Sequence, residues 1–309
     1  MTDEQLRRTL GTLSTERVDP AFADLDLLDT GAQVALMAEQ GVVAAQAVAA
    51  QRDSIARAVD GIVARLARGG RLVYIGAGTA GRMGVLDASE IPPTFGTDPS
   101  LVTGVIAGGD HALRNAVENA EDDVAAGAAE AVKLGPDDVM VGLTASGRTP
   151  YVIGALHAAR ERGAFTVSIA CNSPAEVSAE ADAPIEVVVG PEAVAGSTRL
   201  KAGTAQKLVL NTLSTLAMVQ SGKVYGNLMV DVQATNEKLR VRAVRTVMHA
   251  TGCEPDEAAR ALAAADGSVK LAIAIVLTGA DADEARAALE AAGGHLRRVL
   301  AAHASQRPE

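Results

Sequence analysis

Tryptophan is missing from this 309-residue chain, and tyrosine and phenylalanine number three each. A core without large rings has to be assembled from aliphatic side chains. The 48% hydrophobic fraction is drawn largely from Ala and Val, which suits helices packed on a sheet. Cysteine is nearly absent as well: Cys171 and Cys253 make no disulfide framework and fit a reducing cytosol. Positive charge is scarce, with 28 Lys and Arg against 38 Asp and Glu. The net charge of −10 argues against a sequence-independent nucleic-acid binder. An anionic substrate is still compatible with it, because backbone amides bind phosphate locally. There is no run of about 18 apolar residues, and MTDEQLRRTL has no apolar h-region. Neither a membrane span nor a secretory signal is expected, and the chain reads as soluble and cytoplasmic. The five histidines (111, 157, 249, 295, 303) show no H-x-H or H-E-x-x-H spacing, so no metal site is expected.

What is present has a rhythm. Residues 1–30 are polar and irregular, with TERVDP at 15–20, and an Ala/Val-rich stretch over 31–68 predicts one or two long helices. RLVYIG (71–76), LVTGVIAG (101–108), DVMVGLTA (138–145), FTVSIACN (165–172) and PIEVVVG (184–190) are short β-rich runs. The first three end in Gly, Ser or Thr and lead into helical patterns. Strands alternating with helices predict an α/β fold, a doubly wound, mostly parallel five-stranded sheet with flanking helices. Long helices are expected over 201–220 and roughly 231–250. After ATGCEP, three segments read as short helices, DEAARALAAAD, SVKLAIAIVLTG and DADEARAALEAAGG. The chain therefore divides into an α/β domain with N-terminal helices over 1–250 and a small helical bundle over 251–309.

Four segments carry candidate chemistry. GAGTAG (76–81) follows a strand and opens a helix, so Gly78, Thr79 and Gly81 can present backbone N–H groups and a hydroxyl to an anion. A dinucleotide site would need an acid about 20 residues on. The first acid after the second strand is Asp110, 110 − 76 = 34 residues on, which weakens a nicotinamide-dependent dehydrogenase. ASGRTP (145–150) is a second such loop, with Ser146, Gly147 and Thr149 before a helix that starts near Pro150. Asp87 and Glu90, in LDASEIPPTFG, are expected at the end of the first crossover helix, just before Pro92 and Pro93 stop it. Ile91, the prolines and Phe95 give Glu90 an apolar setting, which favours a protonated carboxyl. Glu118 and Glu121, in AVENAEDD, are expected three apart on one helical face, with Arg114 pairing Glu118 and leaving Glu121 less neutralised, as suits a general base. Lys201 and Lys207 are either helix-surface lysines or face a sugar.

The runs RLVYIGAGTAGRMGVLDASEIPPTFG, VIAGGDHALRNAVENAEDD, LTASGRTPYVIGAL and GSTRLKAGTAQKLVLNTLSTLAMVQSGKVYGNLMVDVQATNEKLR resemble the N-acetylmuramic acid 6-phosphate etherases over essentially the whole chain. The resemblance implies a sugar isomerase domain fold, a homodimer with composite active sites, and no cofactor. It implies elimination of D-lactate from N-acetylmuramic acid 6-phosphate, leaving N-acetylglucosamine 6-phosphate. It also implies Glu90 and Glu121 as the catalytic pair, of which the apolar setting expected for Glu90 makes it the acid and Glu121 the base, with phosphate held by Gly78, Thr79, Gly81, Ser146, Gly147 and Thr149. Two departures stand out: Ala80 replaces the family's usual serine in the first loop, and MAEQ (37–40) replaces a more acidic segment.

An aldose–ketose isomerase would use the same loops without losing a C3 substituent, and a phosphosugar-binding regulator would bind without turnover. Lactate release is expected with no added metal or nucleotide and at a rate unchanged by EDTA. A chelator-sensitive rate restored by a divalent ion would refute the two-carboxyl chemistry.

Overall fold

The computed structural model of the chain describes residues 11, 13–232 and 237–305. These form two compact units, one reaching to Ser89 and resuming over Ser100–Ser214, the other made of Glu90–Pro99 and Thr215 onward. The 250/251 boundary expected from the sequence falls inside the second unit.

In the first unit the 31–68 stretch forms two helices, α1 (Thr30–Ala49) and α2 (Arg52–Leu66). Asp29 caps α1 by accepting from Ala32 N–H at 2.8 Å. α2 buries Ile55, Ala58, Val59 and Ile62, the i, i+3, i+4, i+7 stripe of an amphipathic helix. The β-rich runs are strands β1 (Leu72–Gly76), β2 (Val102–Ile106), β3 (Val139–Thr144), β4 (Phe165–Ala170) and β5 (Ala183–Glu186). Between them lie α3 (Gly78–Phe95), α4 (Val124–Glu130) and α5 (Pro150–Glu161), and α6 (Lys201–Gln220) follows β5. All strand pairs are parallel, in the order β2-β1-β3-β4-β5. α2 packs on β4 and β5, and α5 on β1, β3 and β4.

A buried carboxylate sets the register of the two central strands. Asp138, just before β3, accepts from Arg71 N–H (2.9 Å), Arg71 Nη2 (2.8 Å) and Gly135 N–H (2.9 Å). Burial by itself would push the Asp138 carboxyl up. The Arg71 guanidinium and the two amides outweigh it and hold the carboxyl below its ordinary value.

Two helical expectations fail. The crossover helix does not stop before the prolines but runs through Pro92 and Pro93 to Phe95. Ile91 and Phe95, one turn apart, are both buried and anchor its last turn. Glu118 and Glu121 share no helix. Asp123 accepts from Ala126 N–H at 2.9 Å and starts α4 at Val124, while Asn119 sits at φ +62°. The acidic run therefore precedes the helix, with Glu121 in a 3-10 turn over Ala120–Asp122.

The second unit holds a hairpin, β6 (Val224–Tyr225) and β7 (Leu228–Met229), and helices α7 (Glu237–Thr251), α8 (Pro255–Ala264), α9 (Val269–Thr278), α10 (Ala282–Ala291) and α11 (Leu296–Ser305). The ends of α3 and α6 also belong to it. The hairpin and α11 were not expected. Part of the helix expected over 231–250, residues 233–236, lies outside the described residues. Val247, Val269, Leu271, Ile273, Leu296 and Val299 form its core. Asp231 accepts from Lys223 (3.0 Å) and from the buried Lys270 (2.7 Å), which compensates the burial of both signs of charge. No single helix among the described residues is long and apolar enough to cross a membrane.

α4 and α5 meet through glycines. A methyl on Gly127 would lie 1.9 Å from the Tyr151 carbonyl oxygen, and one on Gly154 2.5 Å from that of Val124. Gly127→Ala is expected to destabilise the first unit by about 3 kcal/mol, the upper end of overpacking costs, because backbone cannot rotate away. Gly154→Ala should cost less. Denaturant titration at unchanged slope checks both.

Candidate functional site

In a doubly wound sheet, ligands bind beyond the carboxyl ends of the strands where the winding direction reverses. Here the chain leaves β1 for β2 on one side and then enters β3 on the other, so the switch point lies between β1 and β3. The two candidate loops extend the ends of these two strands, where Gly76 pairs with Leu143.

The first loop is a tight turn forced by backbone contact. A methyl on Gly81 would lie 2.7 Å from the Gly76 oxygen and 2.6 Å from Ile106 Cγ1, so neither end of the turn tolerates a side chain. Gly78 opens α3 at φ +53°, and the first-turn amides of α3 point past the strand end. Thr79 is half-buried, and its Cγ2 lies against Gly203 of α6. Ala80 is buried.

The second loop is organised by a residue that sequence reasoning missed. Thr144, buried at the end of β3, shares hydrogen bonds with Thr149 Oγ1 (2.7 Å) and Ser146 Oγ (3.2 Å), and its Oγ1 accepts from Gly147 N–H (3.2 Å). Ser146 Oγ also accepts from Arg148 N–H at 3.2 Å. One hydroxyl thus gathers three of the expected phosphate-binding residues into a cluster. Gly147 is at φ +79°, and a methyl there would meet Ala175 Cβ at 2.6 Å. Asn172, also missed, donates to the Ala145 carbonyl (3.0 Å) and to Thr15 Oγ1 (2.9 Å), and accepts from Ser14 N–H (2.7 Å). It pins the TER segment to the second loop. Its one sequence signal was its place at the end of a β-rich run.

The 3-10 turn that carries Glu121 packs on α5, the helix that springs from the second loop, and the Glu121 side chain is exposed. Arg82, the residue after the first loop, reaches the same segment: its Nε donates to the Leu113 carbonyl (3.0 Å), and its Nη2 to those of Ala112 (2.7 Å) and Asn115 (3.3 Å).

Glu90 belongs to the second unit, twelve residues along α3 from Gly78 (90 − 78 = 12). It is exposed, while its neighbours Ile91 and Phe95 are buried, because successive helical residues point about 100° apart. The apolar setting read from the sequence is therefore not around its carboxyl within one chain.

The other candidates have structural partners. Asp87 is buried, and its Oδ1 accepts from Asn211 Nδ2 (2.7 Å) and Ser214 Oγ (3.2 Å). Burial first, and then the adjacent Asp87, push the Tyr74 hydroxyl well above its usual range. Lys207 donates to Asn211 Oδ1 at 2.6 Å. Lys201 is buried and donates to Gln40 Oε1 at 2.8 Å. Burial lowers its pKa, against the opposing charges of Glu192 and Asp19. Glu192 caps α6 by accepting from the N–H groups of Lys201 and Ala202, both at 2.9 Å. Among the described residues, no group of three or more His, Cys, Asp or Glu is placed to hold a metal ion.

Residues 54–160 match the glucokinase regulatory protein N-terminal SIS domain, and residues 117–216 match the SIS domain. A Streptomyces avermitilis protein called N-acetylmuramic acid 6-phosphate etherase is 56% identical over 299 residues, covering 96% of this chain and 96% of its own length. A Rubrobacter xylanophilus protein of the same name is 56% identical over 270 residues, covering 87% and 90%.

Thr144→Val keeps the shape of the second loop's hub and removes its hydroxyl. It is expected to weaken binding of a sugar phosphate about tenfold, the effect of losing roughly one net hydrogen bond to an anion site. Isothermal calorimetry with N-acetylglucosamine 6-phosphate reads this directly, and unchanged affinity would remove Thr144 from the site.

Proposed function

The chain belongs to the N-acetylmuramic acid 6-phosphate etherase family, and from that premise we propose that it eliminates D-lactate from N-acetylmuramic acid 6-phosphate and hydrates the product to N-acetylglucosamine 6-phosphate. The observation that carries this reading is the identity of more than half of all residues, over nearly full length, to a protein of that name. A glycine-rich loop with free helix amides and a second loop with clustered hydroxyls, both at the switch point, support a phosphate seat there.

The chemistry follows from the bond to be broken. An alkyl ether leaves poorly, but in the open-chain aldehyde C2–H is acidic and the lactyl oxygen on C3 lies β to the carbanion. Glu121 as carboxylate removes the C2 proton to give a carbanion delocalised onto the aldehyde oxygen, and in a second step its electron pair moves into the C2–C3 bond as the C3–O bond breaks. Glu90 as carboxylic acid protonates the departing lactate oxygen. Water then adds at C3, giving its proton to the Glu90 carboxylate, and Glu121 returns a proton to C2. Two carboxyls in opposite protonation states suffice. Gly78, Thr79, Gly81, Ser146, Gly147 and Thr149 hold the phosphate through amides and hydroxyls, and the work is assigned to the cytoplasm.

We further assign the acid to a second copy of the chain. Glu90 is exposed in the single chain, twelve residues along α3 from Gly78 (90 − 78 = 12). A homodimer whose α3 ends cross over would bring Glu90 of one copy to the loops of the other. Apolar side chains left bare on α1, with Val34 63% and Val42 57% exposed, support such an interface. It would also supply the apolar enclosure that Glu90 lacks in one chain.

A D-lactate assay on N-acetylmuramic acid 6-phosphate separates this reading from a binding-only regulator, which would release none. Glu121→Gln should abolish both lactate release and exchange of the C2 hydrogen with solvent deuterium. Glu90→Gln should block lactate release yet retain exchange, each loss being at least about 10²-fold. Refolding the two inactive variants together should restore about a quarter of wild-type activity. Random pairing makes half the dimers mixed, and each mixed dimer has one intact site of two. No recovery in the mixture would place both glutamates in one chain.

A further inference from the structure

We propose that Arg82 is a positioning residue that couples the phosphate seat to the general base, rather than a ligand of the phosphate; this rests on the etherase reading of the same site. Arg82 follows Gly81, and a cation in the first turns of a helix that receives an anion would ordinarily be read as an anion ligand. The geometry directs it elsewhere. Its guanidinium is committed to three carbonyl oxygens, of Ala112, Leu113 and Asn115, and the chain reaches Glu121 only six residues after the last of these.

Packing holds the ends of that stretch, through buried Ala112 and through the 3-10 turn on α5, but few hydrogen bonds reach it from outside. Residues 113–119 are mostly exposed. Gly108, Gly109 and Asn119 all have positive φ, so the backbone follows no repeating ladder. Its other backbone hydrogen bonds among the described residues are local turns: Ala112 to Gly109, Arg114 and Asn115 to His111, and Asp122 to Asn119. The long-range hydrogen bonds to it, spanning 30 to 33 residues, come from Arg82. Three carbonyls converging on one cation are each stabilised by a charge-assisted bond, and they are met by two nitrogens of a rigid planar fork, Nε and Nη2, a geometry that the single nitrogen of an ammonium does not reproduce. Because Arg82 stands on the first turn and a half of α3, any shift of the loop that grips phosphate is passed to the segment that carries Glu121. Substrate phosphate and catalytic base are thereby held to one geometry, which proximity catalysis requires to within a fraction of an ångström.

Arg82→Ala and Arg82→Lys in the full-length protein test this. Backbone amide exchange without ligand, followed by mass spectrometry, should speed up over 112–122 in both variants and stay unchanged in β1 and β3. C2 deuterium exchange and lactate release should fall together by about 10²-fold, with KM raised less than about threefold. Added methylguanidinium should restore part of the rate to Arg82→Ala, and Arg82→Lys should stay impaired although its charge is kept. A rise in KM with kcat intact would make Arg82 a phosphate ligand and overturn the proposal, as would wild-type rates in Arg82→Lys. A wild-type protein that releases no lactate would instead defeat the etherase reading. The amide exchange of 112–122 would then still decide whether Arg82 holds that segment.

Discussion

Everything near the site depends on a backbone contact: Gly76, the last residue of β1, lies directly against Gly81 in the first turn of α3. Two glycines let the chain reverse from strand to helix without the width of a side chain. The free amides of α3 then open just past the end of β1. Had either residue a Cβ, the start of α3 would have to move outward, taking with it Thr79 and Arg82. The same contact brings Ile106, at the end of β2, against Gly81, so the start of the Glu121-bearing connection is set by the turn as well.

Around that contact, buried polar groups are satisfied in ways that carry positional information. Asp138 joins the starts of β1 and β3, Thr144 gathers the second loop, Asn172 ties the TER segment to it, and Glu192 caps α6. An unpaired buried polar group costs on the order of 1–3 kcal/mol, so each of these residues specifies one partner and thereby one arrangement of loops. Asp87 illustrates the distinction between burial and function. It is the more buried of the two carboxylates in LDASE, and its environment is that of a structural hydrogen-bond acceptor. Glu90 and Glu121 are both exposed in the single chain, where a group that has to meet a substrate must begin.

Sequence alone determined the five strands, the two loops that end β1 and β3, and the helices with strong apolar periodicity. These depend on preferences that operate over a few residues: β-branched runs, glycine at turns, Pro150 at the first position of α5. It also determined the family, because long ordered motifs survive without any knowledge of contacts. What the tertiary structure decided were partnerships between residues far apart. The acidic run AVENAEDD reads as a helix by composition, but Asp123 captures an amide of α4 and leaves Glu121 in a turn before it. Two prolines read as a stop, but burial of Ile91 and Phe95 carries α3 past them. Lys201 reads either as a helix-surface lysine or as one that faces a sugar, and the structure buries it and pairs it with Gln40, 161 residues away in the chain. Arg82 meets its carbonyls across 30 to 33 residues. Backbone preference is a local property and is written in each segment. Which side chain satisfies which buried group depends on distances that exist only once the sheet has formed.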